Sequence, residues 1–136
     1  MLSLRVNAAT AVVVISIATL VGAAAMNYVR EQHKRSQHAT AMTGGNPNKA
    51  LAVMRQYGCA SCHAISGAEM PGGLAGPPLS GIADRLYIAG VIENTPENMV
   101  RWIVNPKQFS ARTAMPVTGI SESEARNVAA FLYRLR

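Results

Sequence analysis

The chain's only two cysteines, Cys59 and Cys62, stand three apart in the run Cys59-Ala60-Ser61-Cys62-His63, which also takes one of its three histidines. Whatever this chain folds into must serve that cluster. A thioredoxin-like dithiol belongs at the junction of a strand and a helix inside a βαβ unit. Here a helical pattern precedes the motif and no segment alternates as a strand does. A structural zinc site needs four ligands, usually from a second Cys or His pair at defined spacing. No second pair is present, and His33 and His38 lie in a polar stretch. The third reading is covalent haem attachment: two thiols add across the two vinyl groups as thioethers, and the next histidine coordinates iron. A short turn presents both sulfurs to one ring edge and aims the His63 imidazole at its centre. The sequence favours this reading, with one covalent haem c as cofactor and Cys59, Cys62 and His63 as its attachment residues.

Size agrees with a prosthetic group. Setting aside residues 1–45 leaves about ninety residues, and a domain that small often needs a staple, a metal or a cofactor. Only seven of 136 residues are aromatic, so few large side chains are available to fill a core. The net charge is +6, but residues 46–136 hold nine of the thirteen Lys and Arg and six of the seven Asp and Glu. No basic stripe interleaved with aromatics occurs, which argues against a nucleic-acid partner. Modest basicity suits docking on an acidic protein surface.

From Val6 to Val29 no residue is charged. As a helix this run covers about 36 Å, enough to cross a hydrocarbon layer of roughly 30 Å. Thr10, Ser16 and Thr19 can return their hydroxyls to the helix backbone, and Tyr28 falls where an interfacial aromatic sits. Residues 1–30 therefore read as a membrane anchor. The rival is a cleaved signal peptide, with Arg5 in its charged region and Ala23-Ala24-Ala25 as a small-residue cleavage site; the length of the run favours the anchor. Arg30, Lys34 and Arg35 outnumber Arg5, and by the positive-inside rule alone they favour a cytoplasmic carboxyl-terminal side. Residues 31–45 show no apolar period and end in Gly44-Gly45, so they read as a linker, with a coil reach of about 20 Å.

The remaining chain, 46–136, reads as an all-α domain. Asn46 caps a helix with Pro47 at its first position, and Gly58 ends it just before Cys59. Residues 64–82 are rich in Gly and Pro and read as irregular loop. Thr95 and Pro96 open a second helix that stops at Asn105-Pro106. Ser121 and Glu124 have capping-box spacing before a final helix with its stripe on Ala125, Val128, Ala129 and Leu132.

A sixth iron ligand remains to be found. Methionine sulfur suits an electron carrier, because it raises the potential and closes the iron to small molecules. Of seven methionines, Met54 and Met99 fall within helices, where packing is the default role, and Met70 lies only seven residues after His63. Met115 stands in a loop between the last two helices, stiffened by Pro116. It is the candidate metal ligand with His63.

These pieces together resemble the class I cytochromes c. The resemblance covers residues 46–136 and rests on the attachment motif, "GPPLSGIADR" at 76–85, "NMVRWIVNP" at 98–106 and "TAMPVTGI" at 113–120. It is nearest to the haem domains that accompany haem–copper terminal oxidases. It implies a cytochrome c fold around one covalent haem, preceded here by a single transmembrane helix. It also implies that the Pro77 carbonyl accepts a hydrogen bond from the second nitrogen of His63, that Leu79 contacts the haem, that Arg85 pairs with a propionate and that Trp102 packs near the ring. Read without the resemblance, Arg85 is a surface arginine and Trp102 a core residue. The family often has Asn where Pro78 stands, which removes a polar side chain and a backbone donor.

The expected function is one-electron transfer in a respiratory chain, to or within a terminal oxidase complex, with no catalytic residues and no small-molecule substrate. The expected partners are a terminal oxidase or its electron donor, and membrane lipid through the first helix. Arg101, Lys107 and Arg112, close to Met115 in sequence, are candidates to steer an acidic partner. Covalent attachment outside the bacterial cytoplasmic membrane, which the resemblance implies, sets the haem domain on the periplasmic or outer side. The alternatives are a peroxidase-like or sulfur-oxidising haem enzyme with an open or labile sixth position, and an assembly subunit without redox turnover.

Overall fold

A computed structural model describes residues 7–67 and 72–135. Arg5, Met70 and Arg136 lie outside the described residues. The chain forms two compact units that divide between Lys34 and Arg35.

The first unit is the leading part of helix α1, Ala8–Thr43. Asn7 starts it: its Oδ1 accepts from Thr10 N at 2.8 Å and from Thr10 Oγ1 at 2.6 Å. Thr10 thus bonds the capping side chain and not the helix backbone. Ser16 Oγ donates to Val12 O at 2.9 Å and Thr19 Oγ1 to Ser16 O at 2.8 Å, so both hydroxyls are satisfied inside the helix. Val12 to Ile15, Ile17, Leu20, Val21, Met26, Tyr28 and Val29 are all more than half exposed. Among the described residues this is the one helix long and apolar enough to cross a membrane.

The linker expected at 31–45 is corrected by the structure: α1 continues to Thr43. Gln, Lys, Arg, Ala and Met are good helix formers, and no Gly or Pro intervenes before Gly44. Ala39 and Thr43 are buried and Met42 packs on the core, a stripe too short to register as a period. Gly44 then ends the helix in the left-handed region (φ 70°), where a side chain is disfavoured, and its N–H donates to Thr40 O at 2.8 Å. Arg126 Nη1 donates to Thr43 O at 3.0 Å, placing a cation on the negative end of the helix.

The second unit, Arg35–Arg136, holds the other helices: α2 (Ala50–Gln56), α3 (Pro96–Val104) and α4 (Glu122–Arg134). Helices α3 and α4 start where the sequence signals them, whereas α2 begins at Ala50, three residues after the expected Pro47. Asn46 Oδ1 accepts from Asn48 N at 2.9 Å, opening a tight turn over Pro47–Lys49 that leads into α2. Thr95 Oγ1 accepts from Asn98 N at 3.2 Å, and Ser121 and Glu124 form the reciprocal capping box. Helix α4 packs on both α2 and α3. Ala125, Ala129 and Ala130 on α4 are fully buried, and small side chains there let its neighbours approach closely. Phe131, Met54, Met99 and Val100 fill the centre.

An antiparallel hairpin was not expected. Strands β1 (Tyr87–Ile88) and β2 (Ile92–Glu93) pair Tyr87 with Glu93 and Ile88 with Ile92. Two residues per strand are too few for alternation to be seen. Asn94 fastens the hairpin: its Nδ2 donates to Ile82 O at 2.7 Å and Arg85 O at 2.8 Å, and its Oδ1 accepts from Tyr133 Oη at 2.7 Å.

Candidate functional site

Gly58 closes α2, and the chain turns at once through Cys59–Ser61. The N–H groups of Cys62 and His63 both donate to Cys59 O, at 3.3 and 3.0 Å. This wraps the motif into a single turn, with both cysteines half-buried and neither in a disulfide. Burial pushes the Cys59 thiol above its ordinary pKa, and the neighbouring Cys62 adds to the effect. That burial disfavours the Cys59 thiolate.

A return strand of loop is stitched to the turn by backbone bonds. Gly73 N donates to Ala60 O at 2.8 Å, Gly76 N to Cys62 O at 2.8 Å and Leu79 N to Ala64 O at 2.9 Å. The pairing brings the Pro77 carbonyl to His63, whose Nδ1 donates to it at 2.7 Å. That bond orients the imidazole and leaves Nε2 as the nitrogen available to a metal. Gly76 makes the approach feasible: a Cβ there lies 2.6 Å from His63 Nδ1, far inside contact distance. Leu79, 8% exposed, is buried beside this loop. Arg85 lies at its far end and donates from Nη2 to Pro78 O at 2.7 Å and Ser80 O at 3.3 Å. Its guanidinium thus holds the loop that presents Pro77, whatever else its remaining donors meet.

Trp102 on α3 is 6% exposed, with its ring centroid 6.3 Å from that of Phe109. Arg101 stacks its guanidinium 4.9 Å from the same Phe109 ring. Beyond Phe109 the loop to α4 carries Met115, which is part-buried. Met115 N donates to Thr113 Oγ1 at 3.2 Å, and Lys107 Nζ donates to Thr113 O at 2.5 Å and Ala111 O at 3.4 Å. Cys59, Leu79, Trp102 and Met115 all border one continuous apolar core. Gly76 and Asn94 are contributors that sequence reasoning missed, and Lys107, expected only as a steering cation, is found bonding the carbonyls of the Met115 loop. Only Gly76 left a trace, as the glycine before a proline pair in the return loop.

A small helical domain that folds a pair of unpaired thiols and a carbonyl-oriented histidine onto one turn, beside an apolar core with a methionine on its border, is built as a c-type haem domain. The comparisons with known proteins agree. The chain belongs to the cytochrome c family, whose model matches residues 47–136. The family binds haem c covalently and carries electrons, and the residues present fit that group: His63 Nε2 is free, both thiols are unpaired, and Gly76 leaves the ring room. The chain is also 32% identical over 90 residues to cytochrome c oxidase subunit 2 of Alkalihalophilus pseudofirmus. That match covers 65% of this chain but spans only 25% of the relative's length.

Proposed function

We propose that the protein is a membrane-anchored mono-haem cytochrome that passes single electrons to or within a terminal oxidase complex. Cys59 and Cys62 would hold the haem as thioethers, and His63 and Met115 would ligate its iron. The group would supply one-electron chemistry when bound. The chain's residues set the terms. Pro77 O fixes the His63 ring through the 2.7 Å bond, the observation that carries this reading. Leu79 and Trp102 exclude water, and Arg85 pairs with a propionate through donors beyond those it gives to the loop. A thioether at the sixth position keeps small molecules off the iron, so no substrate chemistry is expected.

The partner is supported by the oxidase-subunit relative, and the membrane by α1, whose apolar side chains are exposed over more than four turns. The haem domain lies on the periplasmic or outer side, where haem is attached covalently. Because residues 31–43 are helical, the coil estimate for a flexible tether does not apply to them.

The test is an optical and kinetic study of the purified full-length protein. Covalent haem should survive acid–acetone extraction. The ferric protein should show the near-infrared sulfur-to-iron band, absent in Met115→Ala. The reduced protein should be oxidised by a terminal oxidase at a rate that falls with salt. Fast, complete carbon monoxide binding to the reduced wild type would instead mark a haem enzyme with an open sixth position.

A further inference from the structure

We propose that Lys107 is a positioning residue for the Met115 loop, acting through the backbone carbonyls of Ala111 and Thr113. The inference rests on the reading of Met115 as iron ligand. Lys107 sits in the tight turn Pro106–Gln108, whose Pro106 is fully buried, so its backbone is anchored in the core. From there its ammonium reaches forward to Thr113 O at 2.5 Å and Ala111 O at 3.4 Å. Thr113 is the hinge of the loop. Its N–H donates to Ser110 O at 3.1 Å, and its Oγ1 accepts from Met115 N at 3.2 Å. One cation thus holds the residue whose hydroxyl holds the methionine backbone.

The rest of the loop offers little other restraint. Phe109 roots it against Trp102, and burial resumes at Ile120. Between them Ala111, Arg112, Ala114, Pro116 and Val117 are exposed. A thioether is a weak, neutral ligand, so its residence on a metal depends on how firmly its backbone is placed. Charge-assisted bonds to two carbonyls provide that placement, and they direct the Lys107 charge toward its own loop. Of the three cations considered for steering a partner, Arg101 is stacked on Phe109 and Lys107 is spent on the loop.

The experiment follows imidazole capture by the ferric full-length holoprotein in detergent. Imidazole binds only when the methionine leaves, and its neutral form is indifferent to the loss of one surface charge. Lys107→Met, which keeps the length of the side chain and removes its donors, should capture imidazole about tenfold faster than wild type. Lys107→Arg should stay within about twofold, because it restores a donor. The urea midpoint should barely move, which separates placement of the loop from a general structural role. Wild-type capture rates in Lys107→Met overturn the proposal, even if oxidation by the partner slows, since that pattern belongs to steering alone. If Lys107→Met yields no holoprotein, Lys107→Leu, which also lacks a donor, carries the same comparison. Met115→Ala separates the two claims: with that variant lacking the near-infrared band and binding imidazole at mixing speed, an unchanged Lys107→Met refutes only the role of Lys107. A Met115→Ala protein that keeps its band refutes the ligand assignment and the Lys107 proposal with it.

Discussion

The loop behind His63 and the loop carrying Met115 are secured by different kinds of bond. On the histidine side, three backbone hydrogen bonds from Gly73, Gly76 and Leu79 join the return loop to the turn, and a fourth bond runs from the ring to Pro77 O. On the methionine side the comparable work is done by side chains, the Lys107 ammonium and the Thr113 hydroxyl, at exposed or part-exposed positions. Backbone ladders resist substitution and salt; exposed side-chain bonds compete with water and are weaker. Under the proposed ligation, the histidine face is expected to be the more firmly held and the methionine face the one that opens.

The largest effect is expected where the histidine side is forced apart. Gly76→Ala puts a methyl group against the His63 ring, 2.6 Å from Nδ1, so either the ring or the return loop must shift. Overpacking of this kind costs about 1–3 kcal/mol, and it strikes the bond that orients the ligand. Holoprotein yield should fall severely, and what forms should show altered ferric spin-state absorption. Normal yield with an unchanged spectrum removes Gly76 from the site. Next comes Met115→Leu, which keeps the bulk of the side chain and removes the sulfur. It should keep covalent haem at wild-type yield while losing the near-infrared band and binding carbon monoxide readily when reduced. Loss of haem in this variant would reverse the asymmetry.

A smaller effect is expected at Asn94, which ties the far end of the histidine loop to the hairpin and to Tyr133. Asn94→Ala removes one bond each from the Ile82 and Arg85 carbonyls and from the Tyr133 hydroxyl and should cost about 1–3 kcal/mol. Tyr133→Phe, which frees only one acceptor, should cost about 1 kcal/mol. Both should lower the urea midpoint with the near-infrared band intact, because neither touches the Met115 loop.

How far this arrangement is legible in the sequence depends on the range of each interaction. The starts of α3 and α4 are readable because Thr95 and Ser121 bond residues three positions away. The attachment turn is readable because its chemistry lies within five residues. The Pro77 contact is accessible only through the resemblance to cytochromes c, since nothing local to Pro77 announces an imidazole fourteen residues back. The helical course of 31–43 is missed because its buried stripe is a single turn, Ala39, Met42 and Thr43, against an otherwise polar surface. Asn94, and the loop-holding role of Lys107, are missed because both side chains bond backbone carbonyls. Every residue carries one, so no pattern of residue types marks the partner.

The smallest effect tests whether the two faces are independent of the helix pair beneath them. Tyr57 at the end of α2 donates its hydroxyl to Glu124 Oε2 on α4 at 2.9 Å, and Ser121 donates to the same oxygen from N at 3.1 Å and from Oγ at 2.5 Å. These bonds, the Ser121 hydroxyl first, hold the Glu124 carboxyl below its ordinary value of 4.5. A carboxyl with a lowered folded pKa contributes stability that is fully present above its unfolded pKa and is lost as pH falls through the folded one. Tyr57 behaves in the opposite sense: the Glu124 bond raises its pKa from 10.0, so its contribution is present below that value and is lost as pH rises through the folded one. Glu124→Gln keeps an oxygen to accept these bonds but cannot titrate. Its urea midpoint should lie slightly below wild type at pH 7, and the two should converge as pH drops from about 5 to 3. The near-infrared band and imidazole capture should be unchanged throughout, because the network braces α2 against α4 and reaches neither ligand loop. Midpoints that stay parallel to pH 3 remove Glu124 from the acid response. A shift in imidazole capture in Glu124→Gln shows that the helix pair does govern the methionine face, and the two loops then cannot be treated as separately held.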